Sequence, residues 1–138
     1  YGPMRLSRAV VPIMEKQGGG AIVTVASKAS LGAGASGTAY TTSKHAVIGL
    51  VKSIAYYYGP KKIRSNAVLP GAVATAIGST AMPKVPWAME RAQLSMATMP
   101  PTPAEPDQIA TLISWLASDE ASNVNGAVVS ADGGWSAA

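Results

Sequence analysis

Ala21-Ile22-Val23-Thr24-Val25-Ala26 is a run of small and β-branched apolar residues, preceded by Gly18-Gly19-Gly20 and followed by a small-residue stretch from Ser27 to Thr38. Apolar residues at successive positions, without polar alternation, are the pattern of a strand covered on both faces. From Ala39 to Tyr58 the period changes. Val47, Ile48, Leu50, Val51 and Ile54 recur at helical spacing, and Gly59-Pro60 stops the run. Arg64 to Leu69 then reads as a second strand, closed by Pro70-Gly71. A strand, a long helix and a strand in that order form a parallel crossover unit, and this unit decides the fold.

Outward from it, the alternation continues. Toward the N-terminus, Pro3 suits a first helical turn, and Met4, Leu6, Val10, Val11, Ile13 and Met14 follow at roughly helical spacing. Pro12 falls late in that run and predicts a kink. Toward the C-terminus, Ala72 to Pro103 is mixed. Met82, Trp87, Met89, Leu94, Met96 and Met99 make it apolar, and prolines at 83, 86, 100, 101 and 103 punctuate it. It reads as a lid or substrate loop carrying a short helix. Pro106 opens another helix with Ile109, Leu112, Ile113 and Leu116 on one side, and Ala127 to Ala131 is a third strand, closed by Asp132-Gly133-Gly134. The predicted class is α/β: a Rossmann-like parallel sheet flanked by helices.

Bulk properties narrow the function. The 138 residues, 48% of them hydrophobic, suffice for one compact domain with a core. No apolar run reaches the roughly 18 residues of a membrane helix, and no secretory signal pattern is visible. Cysteine is absent, so thiolate nucleophiles, disulfides and cysteine metal sites are excluded, and a cytoplasmic location is expected. The net charge is +4, and no acid occurs between Glu15 and Glu90, a stretch holding Lys16, Lys28, Lys44, Lys52, Lys61, Lys62, Arg64 and Lys84. Such a field attracts phosphate-bearing ligands. A solvated surface is the plainer reading.

Gly32-Ala33-Gly34-Ala35-Ser36-Gly37 matches G-x-G-x-x-G between a strand and a helix. It is not read as a dinucleotide fingerprint. Ser27 to Leu31 separate it from the strand, and no acid follows at the distance that would serve the ribose hydroxyls. The expectation is instead a loop of small residues against whose backbone something packs closely. Gly18 to Gly20 precede a strand rather than follow one, and read as a turn.

Tyr40-Thr41-Thr42-Ser43-Lys44 has the form Tyr-x-x-x-Lys. Residues four apart share a helix face, and a cation there favours a phenolate, which fits a phenol for proton exchange with an alcohol. The pattern recurs at Tyr57/Lys61 and Tyr58/Lys62, but Gly59-Pro60 interrupts both spans. Ser27 stands just past the first strand, at the carboxyl edge where open α/β sheets place ligands. Its hydroxyl can bind a carbonyl or alcohol oxygen. The second strand ends at Pro70-Gly71, where a glycine permits close backbone approach to a ligand.

These residues together resemble the active-site segment of short-chain dehydrogenases/reductases, with a serine thirteen residues before the tyrosine, as Ser27 lies before Tyr40. Asn66-Ala67-Val68-Leu69-Pro70-Gly71-Ala72-Val73-Ala74-Thr75 is similar to that family's Asn-x-x-x-Pro-Gly-x-Val-x-Thr segment. Pro106 to Ala110, Trp115 to Ser118 and Gly126 to Gly134 resemble its C-terminal signature. The resemblance spans nearly the whole chain. It implies Tyr40 as general acid/base, Lys44 as the group that favours ionisation of Tyr40 and binds the nicotinamide ribose, and Ser27 as holder of the substrate oxygen. It implies Pro70, Gly71 and Val73 on the nicotinamide side of NAD or NADP, the Val73 backbone toward the carboxamide, and Thr75 toward the carboxamide or pyrophosphate. It implies a small-molecule alcohol or ketone substrate. The family's phosphate loop and catalytic asparagine have no counterpart here. Residues 1–138 are therefore expected to be the C-terminal part of a single Rossmann-like domain, inactive alone. The resemblance further implies a homodimer or homotetramer packed through the two long helices.

Other residues read more plainly. His45 is the only histidine and makes neither a triad nor a metal site with its neighbours. Met82, Met89 and Met96, seven residues apart, fit an apolar pocket or the packing of a lid. Tyr56 to Tyr58 beside Lys61, Lys62 and Arg64 fit a helix end or subunit interface better than a nucleic-acid platform. Two rival functions remain: a catalytically silent relative acting as a binding or structural subunit, and a nucleic-acid binder using the basic stretch. The presence of Ser27, Tyr40 and Lys44 together favours the oxidoreductase.

Overall fold

The computed structural model describes residues 1–79 and 85–137. Its elements are α1 (Gly2–Gln17), β1 (Gly20–Val25), α2 (Thr38–Tyr58), β2 (Ile63–Pro70), α3 (Pro86–Met96), α4 (Pro106–Ala117) and β3 (Val128–Ala131). Short 3₁₀ turns fill several of the connections. The strands lie in the order β1-β2-β3, all parallel. Gly20 pairs with Ile63 and Val25 with Val68, while Ala67 to Pro70 pair with Val128 to Ala131.

The unpunctuated apolar strands are explained by cover on both faces of the sheet. Ile63, Ala67 and Leu69 of β2 turn toward α1 and α2, where they meet Val11, Val51 and Ile54. Val68, with the opposite pleat, meets Ile109 and Leu116 of α4. Ile22 and Val23 of β1 divide between the same two faces. The result is three layers with the helices outside.

Differences from the expected boundaries are small and have physical causes. β2 begins at Ile63 rather than Arg64 because Ile63 is fully buried and pairs with Gly20. α1 runs through Pro12 as one helix. Lys62 takes a left-handed conformation (φ 59°) that turns the chain from α2 into β2. α4 starts at Pro106, and the Gln108 side chain accepts from the Glu105 backbone N–H at 2.8 Å.

A polar clasp holds β2 to the segment leading into β3. The Arg64 guanidinium donates to the carbonyls of Leu116 (2.8 Å), Ser118 (2.9 Å) and Val124 (3.3 Å). Asn66, fully buried, donates to the Val124 carbonyl at 2.8 Å and accepts from Ala127 N–H at 2.9 Å. Asn125 accepts from Ser65 N–H and donates to the Ala55 carbonyl. Arg64, counted by the sequence among surface cations, instead completes the end of α4.

Candidate active site

Parallel strands end on one side of a sheet, so the segments after β1 and β2 gather at a single edge. A crevice of about 370 Å³ opens there. Val25, Ala26 and Ser27 line it from the end of β1 and the residues after it, Pro70 and Gly71 from the end of β2 and the residue after it, and Val73, Thr75 and Ile77 from the loop beyond. Tyr40 and Lys44 line it from α2, and Pro106, Ile109, Ala110 and Ile113 close it from α4. All seven residues singled out from the sequence (Ser27, Tyr40, Lys44, Pro70, Gly71, Val73 and Thr75) face this one space.

Tyr40 and Lys44 lie near the start of α2 and share a face, with the Lys44 ammonium 5.5 Å from the centre of the Tyr40 ring. Lys44 is also tied to the sheet: its Nζ donates to the carbonyl of Val25 at 3.1 Å. The sequence held no sign of that bond, which joins residues from different elements. Among the described residues no protein group bonds the Tyr40 hydroxyl. The Ser27 Oγ accepts from Ala29 N–H at 3.2 Å, which orients the side chain and leaves its own O–H to be donated. The other two Tyr-x-x-x-Lys pairs do not share a helix, because α2 ends at Tyr58.

The loop that supplies Val73 and Thr75 to the crevice is held by a short parallel bridge. Ala74 N–H donates to the Ala104 carbonyl at 2.9 Å, and Ala104 N–H to the Ala72 carbonyl at 2.9 Å. This clamps the loop carrying Val73 and Thr75 to Ala104, two residues before α4. The Thr75 hydroxyl leans back on the Val73 carbonyl at 3.5 Å.

The structure gives position 71 a reason for glycine that the sequence did not show. A Cβ there would lie 2.8 Å from Asp132 Cβ and 3.0 Å from Asp132 Cα, so packing against the turn after β3 by itself requires a glycine. Asp132 is buried, and its carboxylate accepts from Gly134 N–H (3.1 Å) and Ser136 N–H (3.0 Å). The glycine loop behaves as expected. A 3₁₀ turn at Lys28–Ser30 separates it from β1, and a Cβ on Gly34 (φ 91°) would stand 3.0 Å from Ser95 Cβ.

Two cations of the acid-free stretch besides Lys44 also have internal contacts: Lys28 lies over the Trp135 ring and Arg64 holds α4. Met82 and Lys84 lie outside the described residues, and Met89 and Met96 on α3 are half-buried. His45 is exposed and its Nδ1 bonds the Thr41 carbonyl one turn back at 2.9 Å. A second hollow, about 460 Å³, lies between the 100–104 loop and the end of β3, and none of the seven residues lines it.

Residues 1–136 match the family profile described as Enoyl-(Acyl carrier protein) reductase. The chain is 42% identical over 142 residues to the short-chain dehydrogenase/reductase cdmF of Talaromyces verruculosus, with 97% of this chain and 55% of that protein covered. It is 40% identical over 130 residues to 3beta-hydroxysteroid dehydrogenase 2 of Eggerthella lenta, covering 94% of this chain and 50% of that protein. Among solved structures it is similar to 4-hydroxyisoleucine dehydrogenase complexed with NADH and succinate (TM-score 0.77, 32% identity, 99% of this chain and 55% of that one). The chain thus spans about half the length of the curated relatives it matches.

Proposed function

The chain belongs to the short-chain dehydrogenase/reductase family, and on that footing we propose that it is the catalytic, C-terminal half of a Rossmann-like oxidoreductase domain. It would act with NAD or NADP on the alcohol or carbonyl group of a small molecule. The observation that carries this reading is the meeting of Ser27, Tyr40 and Lys44 at one crevice, with Lys44 tethered to the end of β1.

The crevice suits the nicotinamide end of such a cofactor. It lies at the carboxyl ends of parallel strands, one wall carries hydroxyl and ammonium donors, and Pro70, Gly71, Val73 and Thr75 form the facing wall. When bound, the cofactor supplies or accepts the hydride. The chain's own residues handle the proton. Tyr40 gives a proton to the carbonyl oxygen in reduction and takes one from the alcohol in oxidation. Ser27 donates a hydrogen bond to that oxygen as its negative charge grows. Lys44, its direction set by the Val25 carbonyl, turns its remaining N–H groups toward the ribose hydroxyls and the phenol. Among the described residues there is no glycine-rich turn directly joining a strand to a helix as a phosphate cradle. The rest of the cofactor site is assigned to the portion of the relatives that this chain does not span.

Ile77, exposed and lining the crevice, together with the apolar residues Ile109, Ala110 and Ile113 of α4, favours an apolar, ring-bearing secondary alcohol. The Eggerthella lenta relative, named as a hydroxysteroid dehydrogenase, is in keeping with that class. Exposed Met4, Leu6 and Ile13 on α1, with Tyr56 and Tyr57 on α2, provide the faces for a homodimer or homotetramer. No described helix is long and apolar enough to cross a membrane, and a cytoplasmic location is proposed.

The test is titration with NADH and NADPH followed by nicotinamide fluorescence, then a panel of secondary alcohols, on the wild type and on Tyr40→Phe in a cofactor-competent protein. Loss of turnover with cofactor binding retained supports the assignment. Near-normal turnover in Tyr40→Phe means the acid/base is another group, and binding without turnover in the wild type favours a silent relative.

A further inference from the structure

α3 (Pro86–Met96) buries none of its residues, and its Trp87 and Leu94 are 70% and 63% exposed. It is nevertheless held at its C-terminal end, where two contacts meet at Ser95 and a third holds the Trp135 ring. The Trp135 indole N–H donates to the Ser95 carbonyl at 2.8 Å. The missing side chain of Gly34 makes room for Ser95 on the opposite side. The same Trp135 ring lies 4.9 Å beneath the Lys28 ammonium, within cation–π range, and Lys28 directly follows Ser27. Trp135 is itself rigidly based. It is 8% exposed, its N–H bonds the Asp132 carbonyl at 3.2 Å, and Asp132 packs on Gly71 at the end of β2.

We infer that Trp135 is a positioning residue that fixes α3 relative to the Ser27–Tyr40 edge and so discriminates substrates by size. The inference rests on the functional reading above for its substrate role, but the anchoring of α3 stands on the contacts alone. One indole thus ties together the core turn at Asp132, Lys28 beside Ser27, and the C-terminal end of α3, which also meets Gly34 in the loop leading to Tyr40. A small alcohol reaches Tyr40 without touching α3. A bulky ring contacts α3 and gains or loses binding with its placement. The effect therefore falls on KM for large substrates rather than on the proton-transfer step.

Trp135→Phe keeps a ring beneath Lys28 and removes only the N–H to Ser95. Amide hydrogen exchange across residues 86–99 should quicken on the order of tenfold, the effect of one lost hydrogen bond, while β1, β2 and β3 keep their protection. Gly34→Ala, which pushes Ser95 from the other side, should loosen the same segment. In the cofactor-loaded protein, KM for a ring-bearing secondary alcohol should rise roughly tenfold while kcat and KM for a short-chain alcohol change little. Unchanged exchange at 86–99, or an equal acceleration throughout the chain, overturns the anchor. Local loosening with an unchanged ratio of the two KM values overturns the role in discrimination. Local loosening in Trp135→Phe, when a cofactor-competent wild type oxidises no alcohol, supports the anchor and counts against the functional reading instead.

Discussion

Lys44, near the start of α2, donates its ammonium to the carbonyl of Val25, the last residue of β1, at 3.1 Å. The bond pins the helix to the strand end two residues before Ser27. It turns a flexible four-carbon side chain into a fixed cation 5.5 Å from the Tyr40 ring. Position, and not charge alone, is what this lysine contributes.

The consequence is measurable. Lys44→Met should lower kcat/KM by about 10²–10³-fold and weaken nicotinamide binding, because both the proton-transfer pair and a ribose donor are lost. Lys44→Arg retains the charge, but its planar fork does not reproduce a point ammonium, so activity should recover only in part. Steady-state kinetics with NADH titration checks both. Full activity in Lys44→Arg would show that charge alone suffices.

Ser27 has one observed contact and one proposed role. Its Oγ accepts from Ala29 N–H at 3.2 Å, and its O–H is assigned to the substrate oxygen. Ser27→Ala should reduce kcat on the order of 10²-fold with cofactor affinity nearly unchanged. The lost N-cap contact should separately cost about 0.5–1 kcal/mol of stability. Ser27→Thr keeps a hydroxyl and should restore most of the stability. A kcat for Ser27→Ala within a factor of about three of wild type would remove the serine from the proton-transfer scheme.

Asn66 is fully buried, and its amide serves both the Val124 carbonyl and the Ala127 N–H. Asn66→Leu fills the same volume but strands the Ala127 N–H and leaves the Val124 carbonyl with only the 3.3 Å bond from Arg64, and should lower the unfolding free energy by about 1–3 kcal/mol. Denaturant unfolding of the protein reads this directly. A loss below about 0.5 kcal/mol would mean that water replaces the amide.

Two glycines should respond to alanine with opposite signs. At Gly71 the added Cβ meets Asp132 at 2.8 Å, and Gly71→Ala should cost about 1–3 kcal/mol and shift the loop bearing Val73. Gly49, inside α2, has nothing within 4 Å of an added Cβ, and Gly49→Ala should stabilise by about 0.5–1 kcal/mol. Thermal midpoints of the two variants, measured side by side, test the pair.

Much of the fold was legible because its signals are local. Ile22 and Val23 occupy opposite faces of a covered strand, and the unbroken apolar run announced that cover. Val51 and Ile54 lie on one helical stripe, and Gly59-Pro60 marked where it ends. The glycine loop was read as close packing, and Gly34 against Ser95 is that packing. Arg64 was misread as surface charge, since nothing within its own strand shows that three carbonyls from 52 to 60 residues away converge on it. For the same reason nothing in the residues around Trp135 points to its bond with Ser95, 40 positions away.

By itself, then, the sequence determined the order of strands and helices, the parallel sense of the sheet, and the sharing of one helix face by Tyr40 and Lys44. These follow from periodicity and chain connectivity, which act over a few residues to one crossover. Only the tertiary structure decided what the lysine is tied to, why position 71 must be glycine, and that Trp135 holds α3. Those are contacts between residues 19, 61 and 40 positions apart. Hydrogen bonds and close packing at such separations depend on how the layers stack, and no local pattern of residues encodes that stacking.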